Sequence, residues 1–317
     1  MRKSSMSALV EEYIAVRRTL GYDVKTHGHL LRMFGRFADE SGHRGPLTIE
    51  FAVRWACSSG SKDPANAARR LGVVRRFAQH RVAFDQATEV PPAGLLGRGT
   101  LRKPPHIYTD AEISTLLRAL AALRPRGALR PRTYVTLVSL LLSTGLRITE
   151  ARQLRRDDVD LRGGVLTIRA GKFRKSRLVP LHPSAIEPLR RYAEFRDARE
   201  RPPRSEFFFR TDRAPFITWQ ATNSTIWDLR HRLGWTATGR ARLPRYHDLR
   251  HTFAVRRLIR WQEEGIDVNR VILHLATYLG HAEVGSTYWY LTAVPELMAL
   301  TGKRFEQFAG REREGVS

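Results

Sequence analysis

The sequence contains one cysteine, Cys57, among 317 residues. That excludes an internal disulfide and any cysteine-based metal cluster. No apolar run approaches the length of a membrane span. The basic start, Met1-Arg2-Lys3-Ser4-Ser5, leads into no apolar core, so no secretion signal is expected and the reading is a protein of the reducing cytoplasm. Lysine is scarce: Lys3, Lys25, Lys62, Lys103, Lys172, Lys175 and Lys303 are the only seven. There is no Walker loop, internal repeat, heptad run or low-complexity tract. No convincing carboxylate cluster is present either. The nearest, Asp157-Asp158-x-Asp160, follows Leu154-Arg155-Arg156 and reads as a turn into a strand.

What is abundant is arginine. Lys and Arg total 55 against 31 Asp and Glu, a formal charge of +24. Such a balance implies a polyanionic partner. Guanidinium groups form forked hydrogen bonds to phosphate oxygens, so an arginine bias suits a nucleic-acid backbone. No helix pairs a cationic face with a bulky apolar one, so a membrane partner is not expected.

The fold class read from the pattern is mainly α (α+β). Apolar stripes at Leu9-Val10-Tyr13-Ile14, Leu30-Leu31-Phe34-Phe37, Phe51-Ala52-Trp55 and Leu71-Val74-Phe77-Ala78 predict four short helices, the first capped by Ser7. They make a small bundle over residues 1–98, with Arg69, Arg70, Arg75 and Arg76 on a basic side. A Pro- and Gly-rich linker follows. The second domain, 105–317, is predicted mostly helical with a small antiparallel sheet. Thr109 and Glu112 read as a capping box. Val165–Ile168 and Leu178–Leu181 read as strands joined by a basic tip, Gly171-Lys172-Phe173-Arg174-Lys175-Ser176.

Three clusters carry possible chemistry. Thr144-Gly145-Leu146-Arg147-Ile148-Thr149-Glu150 puts Arg147 and Glu150 on one helix face. Arg245-Tyr246-His247-Asp248-Leu249-Arg250-His251-Thr252 does the same for His247 and Arg250, with His251 beside them. The His247-Asp248-x-x-His251 spacing mimics a zinc-protease helix, but Arg250 between the histidines opposes a dication. Leu279-Gly280-His281 precedes Thr287-Tyr288-Trp289-Tyr290-Leu291. Each cluster alone reads equally as surface or core.

Together they resemble one family, the tyrosine recombinases or phage-integrase-type recombinases, from about Tyr108 to Gly310. The shared elements are T-G-L-R-x-x-E at Arg147, G-K-x-x-K-x-R-x-V-P-L at Lys172, H-x-L-R-H-T at His247 and L-G-H at His281, followed by Tyr290. The bundle resembles that family's core-binding domain. The resemblance implies a site-specific recombinase that cleaves and rejoins duplex DNA through a 3′-phosphotyrosine, moving a mobile element, with no cofactor or metal. It assigns a phosphate clamp to Arg147 and Arg250, the tyrosine's proton acceptor to His247 and a phosphate hydrogen bond to His281. It makes Lys172 the acid for the leaving 5′-oxygen, Glu150 a supporting residue and Tyr290 the nucleophile. Tyr288 is the rival nucleophile, and Leu291 stands where many members have His. Lys175, Arg174, Arg230, Arg232, Arg240 and Arg242 join Arg69, Arg70, Arg75 and Arg76 as DNA-contact candidates. The expected partners are double-stranded DNA in the nucleoid, further copies of the chain in a tetrameric synapse, and related recombinases. A terminal helix around 295–305 is expected to dock either on its own domain or on a neighbour. A catalytically silent DNA-binding regulator and a type IB topoisomerase remain open.

Overall fold

Side-chain caps open three of the first four helices. Helix α1 (Met6–Thr19) is capped by Ser5, whose hydroxyl accepts from the Ala8 amide, rather than by Ser7. The carboxylate of Asp39, from α2 (Lys25–Glu40), takes the amides of Met6 and Ser7. Those orphan first-turn amides are thus satisfied across helices. Thr48 caps α3 (Ile49–Cys57), and Asp63 caps α4 (Pro64–Arg81). Gly35 lets α2 lie against α1, since a Cβ there would stand 3.0 Å from the Ser7 Cα. The interior is aromatic: Phe34 meets Trp55 edge-on at 5.2 Å and Phe77 at 6.3 Å. These helices belong to one compact unit, Met1–Arg102; a second spans Lys103–Ser317. The computed structural model describes residues 5–22, 24–61, 63–97, 104–169, 176–199, 205–237, 243–281, 283 and 285–293.

In the second unit, α5 (Asp110–Ala121) begins with the expected Thr109–Glu112 capping box. The buried helix α6 (Leu129–Thr144) packs against α5, against α8 (Pro183–Asp197) and against α10 (Tyr246–Glu263). It ends at Gly145 with φ +63°, a left-handed cap that favours glycine. A Cβ there would fall 2.5 Å from the Phe253 ring, so α10 also needs the missing side chain. The short α7 (Ile148–Arg152) follows, then a 3₁₀ turn, Arg156–Asp158.

Among the described residues there is one sheet, antiparallel, in the order β1 (Val159–Asp160), β2 (Val165–Ile168), β3 (Arg177–Pro180). Leu166 pairs with Val179, and both are fully buried, so one face joins the core. The first strand is two residues long, too short to carry a period-two signal. The acidic run is structural. Asp158 pairs with Arg169 and accepts from the Arg155 amide; Asp160 accepts from the amides of Arg162 and Gly163. Phe207 forms an isolated bridge to Arg155. Helices α9 (Trp219–Arg232), α11 (Val268–Leu279) and α12 (Gly285–Ala293) complete the described part. The Trp261-Gln262-Glu263-Glu264-Gly265 stretch finishes α10 and turns into α11. No helix among the described residues is long and apolar enough to cross a membrane.

Candidate active site

Helix ends build this site. Gly145 closes α6 and Gly280 closes α11, each with positive φ. Their last carbonyls are the negative ends of helix dipoles and need donors. Three guanidinium groups supply them. Arg250 donates from Nη1 to the Gly145 carbonyl at 2.9 Å and from Nη2 to the Leu279 carbonyl at 2.8 Å. Arg147 donates from Nη2 to the Gly280 carbonyl at 2.9 Å. Arg177 donates from Nε to the Tyr278 carbonyl at 3.0 Å. One carboxylate serves two of the three. Glu150 accepts from Arg147 Nη1 at 2.8 Å and, bidentately, from Arg177 at 2.9 and 3.1 Å; it also takes the Arg147 amide. A Cβ on Gly280 would come 2.9 Å from Arg177 Nη1, so the guanidinium would have to shift, and the φ of +67° itself favours glycine.

The electrostatics follow from this packing. Burial opposes the Glu150 charge, but Arg177 and Arg147 outweigh it and hold the carboxyl down at about 2. Burial, then the charge of Arg147, lower the Arg250 guanidinium to about 10. Three cations against one carboxylate leave the cluster positive. Arg250 is 1% exposed, and it donates to backbone carbonyls rather than to a carboxylate. A buried cation held this way is a standing demand for an anion.

The histidines surround the same point. His247 keeps an edge open to solvent. Its desolvation within the site, then the charge of Arg250, push it down to about 4, with Arg245 and Arg147 adding and Asp248 opposing. It is therefore neutral at pH 7. Asp248 is buried and held by Arg245 through its side chain and amide, so it serves the start of α10 rather than a metal. His251 lies one turn after His247, rings 4.7 Å apart and nearly perpendicular. His251 Nδ1 lies 2.9 Å from the Tyr290 hydroxyl. His281 Nδ1 lies 2.6 Å from Thr287 Oγ1, and its ring is 6.5 Å from that of Tyr290. Tyr290 is 1% exposed, whereas Tyr288 is 42% exposed.

The structure thus brings Arg147, Glu150, His247, Arg250, His281 and Tyr290 into one site. It differs from the sequence reading in one contact: the ring bonded to the tyrosine hydroxyl is His251, not His247. Arg177 was also missed as a site residue. It is the arginine of the G-K-x-x-K-x-R-x-V-P-L motif, but nothing local shows that β3 lays it across α11. Lys172, Arg174 and Lys175 fall in 170–175, and Arg240 and Arg242 in 238–242, outside the described residues, as does the expected helix at 295–305.

The DNA-contact candidates divide. Arg69 and Arg76 are exposed on α4, and Arg75 is half-buried. Arg70 departs from expectation. It is 6% exposed, donates to the Trp55 carbonyl and Ser58 hydroxyl, and lies 4.1 Å over the Trp55 ring. Its cation is occupied inside the bundle. Arg232 is exposed, while Arg230 is half-buried and reaches the Pro244 carbonyl.

The sequence signature of the phage integrase family matches residues 108–296, which span every described residue of this site. The chain belongs to that family. Over 310 residues it is 38% identical to y4rB of Sinorhizobium fredii, whose name places it among integrases and recombinases; the match covers 96% of this chain and 98% of that protein. It is 34% identical to the tyrosine recombinase XerA of Thermococcus kodakarensis, covering 80% of each. Its fold is similar to the XerH site-specific recombinase bound to palindromic difH substrate (TM-score 0.65, 17% identity, 95% of this chain and 85% of that one). It is similar as well to the Tn1549 transposon integrase in complex with transposon right end DNA (TM-score 0.66, 14% identity, 96% and 100%). The protein is accordingly a tyrosine recombinase, with the mainly helical fold and small antiparallel sheet of that group.

Proposed function

We propose that this recombinase cleaves and rejoins duplex DNA at a specific site through a 3′-phosphotyrosine at Tyr290, in the service of a mobile element. The observation that carries the reading is Arg250: a buried guanidinium on two helix-end carbonyls, beside Arg147 and Arg177. Phosphoryl transfer spreads negative charge over the equatorial oxygens of phosphorus, and preorganised donors stabilise that charge. Arg147 and Arg250 form the clamp. His247, neutral and set among these cations, and His281 lie within the same shell. Tyr290 attacks phosphorus, a histidine of α10 takes its proton, and Lys172 protonates the departing 5′-oxygen. The phosphotyrosine keeps the energy of the broken bond, so rejoining needs no ATP.

The wider assembly belongs to the same reading. The bundle and catalytic unit both contact the duplex, with phosphate contacts from Arg69, Arg75, Arg76, Arg232 and the segments bearing Arg174, Lys175, Arg240 and Arg242. Such binding weakens steeply with salt. Four copies form the synapse on nucleoid DNA. One relative and one structural neighbour support the mobile-element role by name, an integrase/recombinase and a transposon integrase.

The test uses duplex selected for binding from a random pool, incubated with protein in EDTA. The expected product is a detergent-stable protein–DNA adduct whose linked peptide contains Tyr290 and which Tyr290→Phe does not form. An adduct mapped to Tyr288 sinks the nucleophile assignment. Bound DNA without any adduct favours the silent regulator, and relaxation of unrelated supercoiled plasmid favours a topoisomerase.

A further inference from the structure

The two histidines of α10 stand in different company. His247 is set among guanidiniums: desolvation first, then Arg250, Arg245 and Arg147 depress its basicity, against Asp248. His251, four residues on, turns to α12. Its Nδ1 is 2.9 Å from the Tyr290 hydroxyl, and its ring meets those of Tyr290 and Trp289 edge-on at 5.4 and 5.9 Å. Both partners are buried, at 6% and 1% exposure. Proton transfer requires a base within hydrogen-bond reach of the proton it removes, so geometry comes before basicity. His251 meets that requirement in the structure.

Resting on the proposed nucleophile, we infer that His251 is the catalytic residue that accepts the Tyr290 proton, and that His247 faces the phosphate instead. The phenol O–H donates to a neutral imidazole at Nδ1. As the Tyr290 oxygen bonds to phosphorus, the O–H electron pair stays on that oxygen and the proton moves to Nδ1. The P–O5′ bond breaks, and the leaving oxygen takes a proton from Lys172. Rejoining reverses each transfer.

One turn of α10 then carries three tasks: His247 and Arg250 toward the phosphate, His251 toward the nucleophile.

The test separates proton acceptance from mere positioning. Single-turnover adduct formation is measured on a nicked duplex drawn from the selected pool. His251→Ala is expected to bind the duplex normally and react about 10²- to 10⁴-fold more slowly. Putting 3,5-difluorotyrosine at position 290 makes the phenol more acidic and less dependent on a base. It is expected to recover most of the His251→Ala loss and little of a His247→Ala loss. His251→Asn, which keeps an acceptor near Nδ1 but cannot hold the proton, checks the same point should the alanine variant misfold. It is expected to be slow and recovered by the fluorinated phenol.

A His251→Ala defect that the fluorinated phenol leaves untouched reduces His251 to a positioning residue and overturns the inference. So does recovery confined to His247→Ala, or a His251→Ala rate equal to that of the parent. The nucleophile itself is tested apart. Adduct formation by Tyr290→Phe overturns that reading, whereas its loss in Tyr290→Phe with full activity in His251→Ala overturns only the proton acceptor.

Discussion

Arg70 in the first unit and Arg250 in the second are both nearly inaccessible, at 6% and 1% exposure, and both donate to backbone carbonyls. Their surroundings differ. Arg70 lies over the Trp55 ring, with the Ser58 hydroxyl as its other partner. Its Nε has no hydrogen-bond partner, so what sets it apart is its company: an indole ring and a hydroxyl, with no second guanidinium among these partners. Arg250 meets Arg147 and Arg177 at the C-terminal end of α11, and one carboxylate serves the other two cations. A buried arginine is therefore not in itself a sign of a site. The sign is several guanidiniums converging on helix C-termini with too few carboxylates among them.

Substitution of both arginines is the sharpest way to break this comparison. Arg250→Ala is expected to retain DNA binding and lose adduct formation by about 10²–10³-fold, the usual cost of a preorganised donor. Arg250→Lys is expected to stay severely impaired, because an ammonium cannot bridge two carbonyls as a planar fork does. Arg70→Met should leave the rate per folded molecule unchanged and lower the melting temperature instead. It strips the Trp55 carbonyl of a donor, a loss worth about 1–3 kcal/mol. Equal catalytic losses at both positions would erase the distinction drawn between them.

Glu150 ranks next. Glu150→Gln removes the one charge shared by Arg147 and Arg177 while keeping its shape. Supporting groups of this kind typically cost about 10- to 100-fold when changed. The loss should appear in adduct formation at saturating DNA rather than in affinity. A variant as fast as the parent would show that the helix-end carbonyls alone orient Arg147.

How much of this was legible beforehand depends on how local each feature is. His247 and Arg250 are helix neighbours, whereas Arg147 precedes α7 as its extended N-cap and meets Glu150 through a capping box rather than on a shared helix face; in both cases the three-residue spacing alone brings the pair together. Their meeting with His281 and Tyr290 follows from no spacing; the motif order pointed to it. The bond from His251 to Tyr290 and the reach of Arg177 across α11 depend on how helices and strand pack, and no periodicity encodes that. Arg70 looked the same as Arg69 and Arg76 in a basic helix. The bundle's packing put it opposite Trp55. The cap of α1 shifted from Ser7 to Ser5 because Asp39 claims the Met6 and Ser7 amides from another helix.

The glycine caps give a smaller, purely structural contrast. Gly145→Ala would place a Cβ 2.5 Å from Phe253 and 2.9 Å from Leu279, at φ +63°. The left-handed backbone costs about 1–2 kcal/mol for an alanine, and overpacking adds roughly 1–3 kcal/mol. Gly94, in the first unit, also has positive φ but nothing within 4 Å of its would-be Cβ. Gly94→Ala should therefore pay the backbone term alone. Melting temperatures of the two variants measure the difference directly. Equal shifts would mean that α10 can move away from α6 at no cost.

Acid provides the gentlest probe of the site's charge. The ordinary value of His247 is 6.5, and in the fold it is about 4. Between those values the unfolded chain binds a proton that the folded chain refuses, so stability falls as pH falls through this window. Glu150 acts in the same direction at lower pH: its carboxyl is charged in the fold down to about 2 against an ordinary 4.5, so its contribution is lost as pH drops between these. His27 in the first unit is also lowered, by burial and then Arg76, so wild-type melts combine both units. His247→Gln removes one contribution only and should flatten the decline between pH 6.5 and 4 without abolishing it. Solvent at the open edge of His247 screens its neighbours' charges, which keeps the expected change in slope modest. A phosphate in the clamp should reverse the sign locally, because an anion beside Arg250 and Arg147 favours the imidazolium. Melts of the DNA-bound protein should then show the His247→Gln difference shrink or invert, and an unchanged difference would mean that His247 does not face the phosphate.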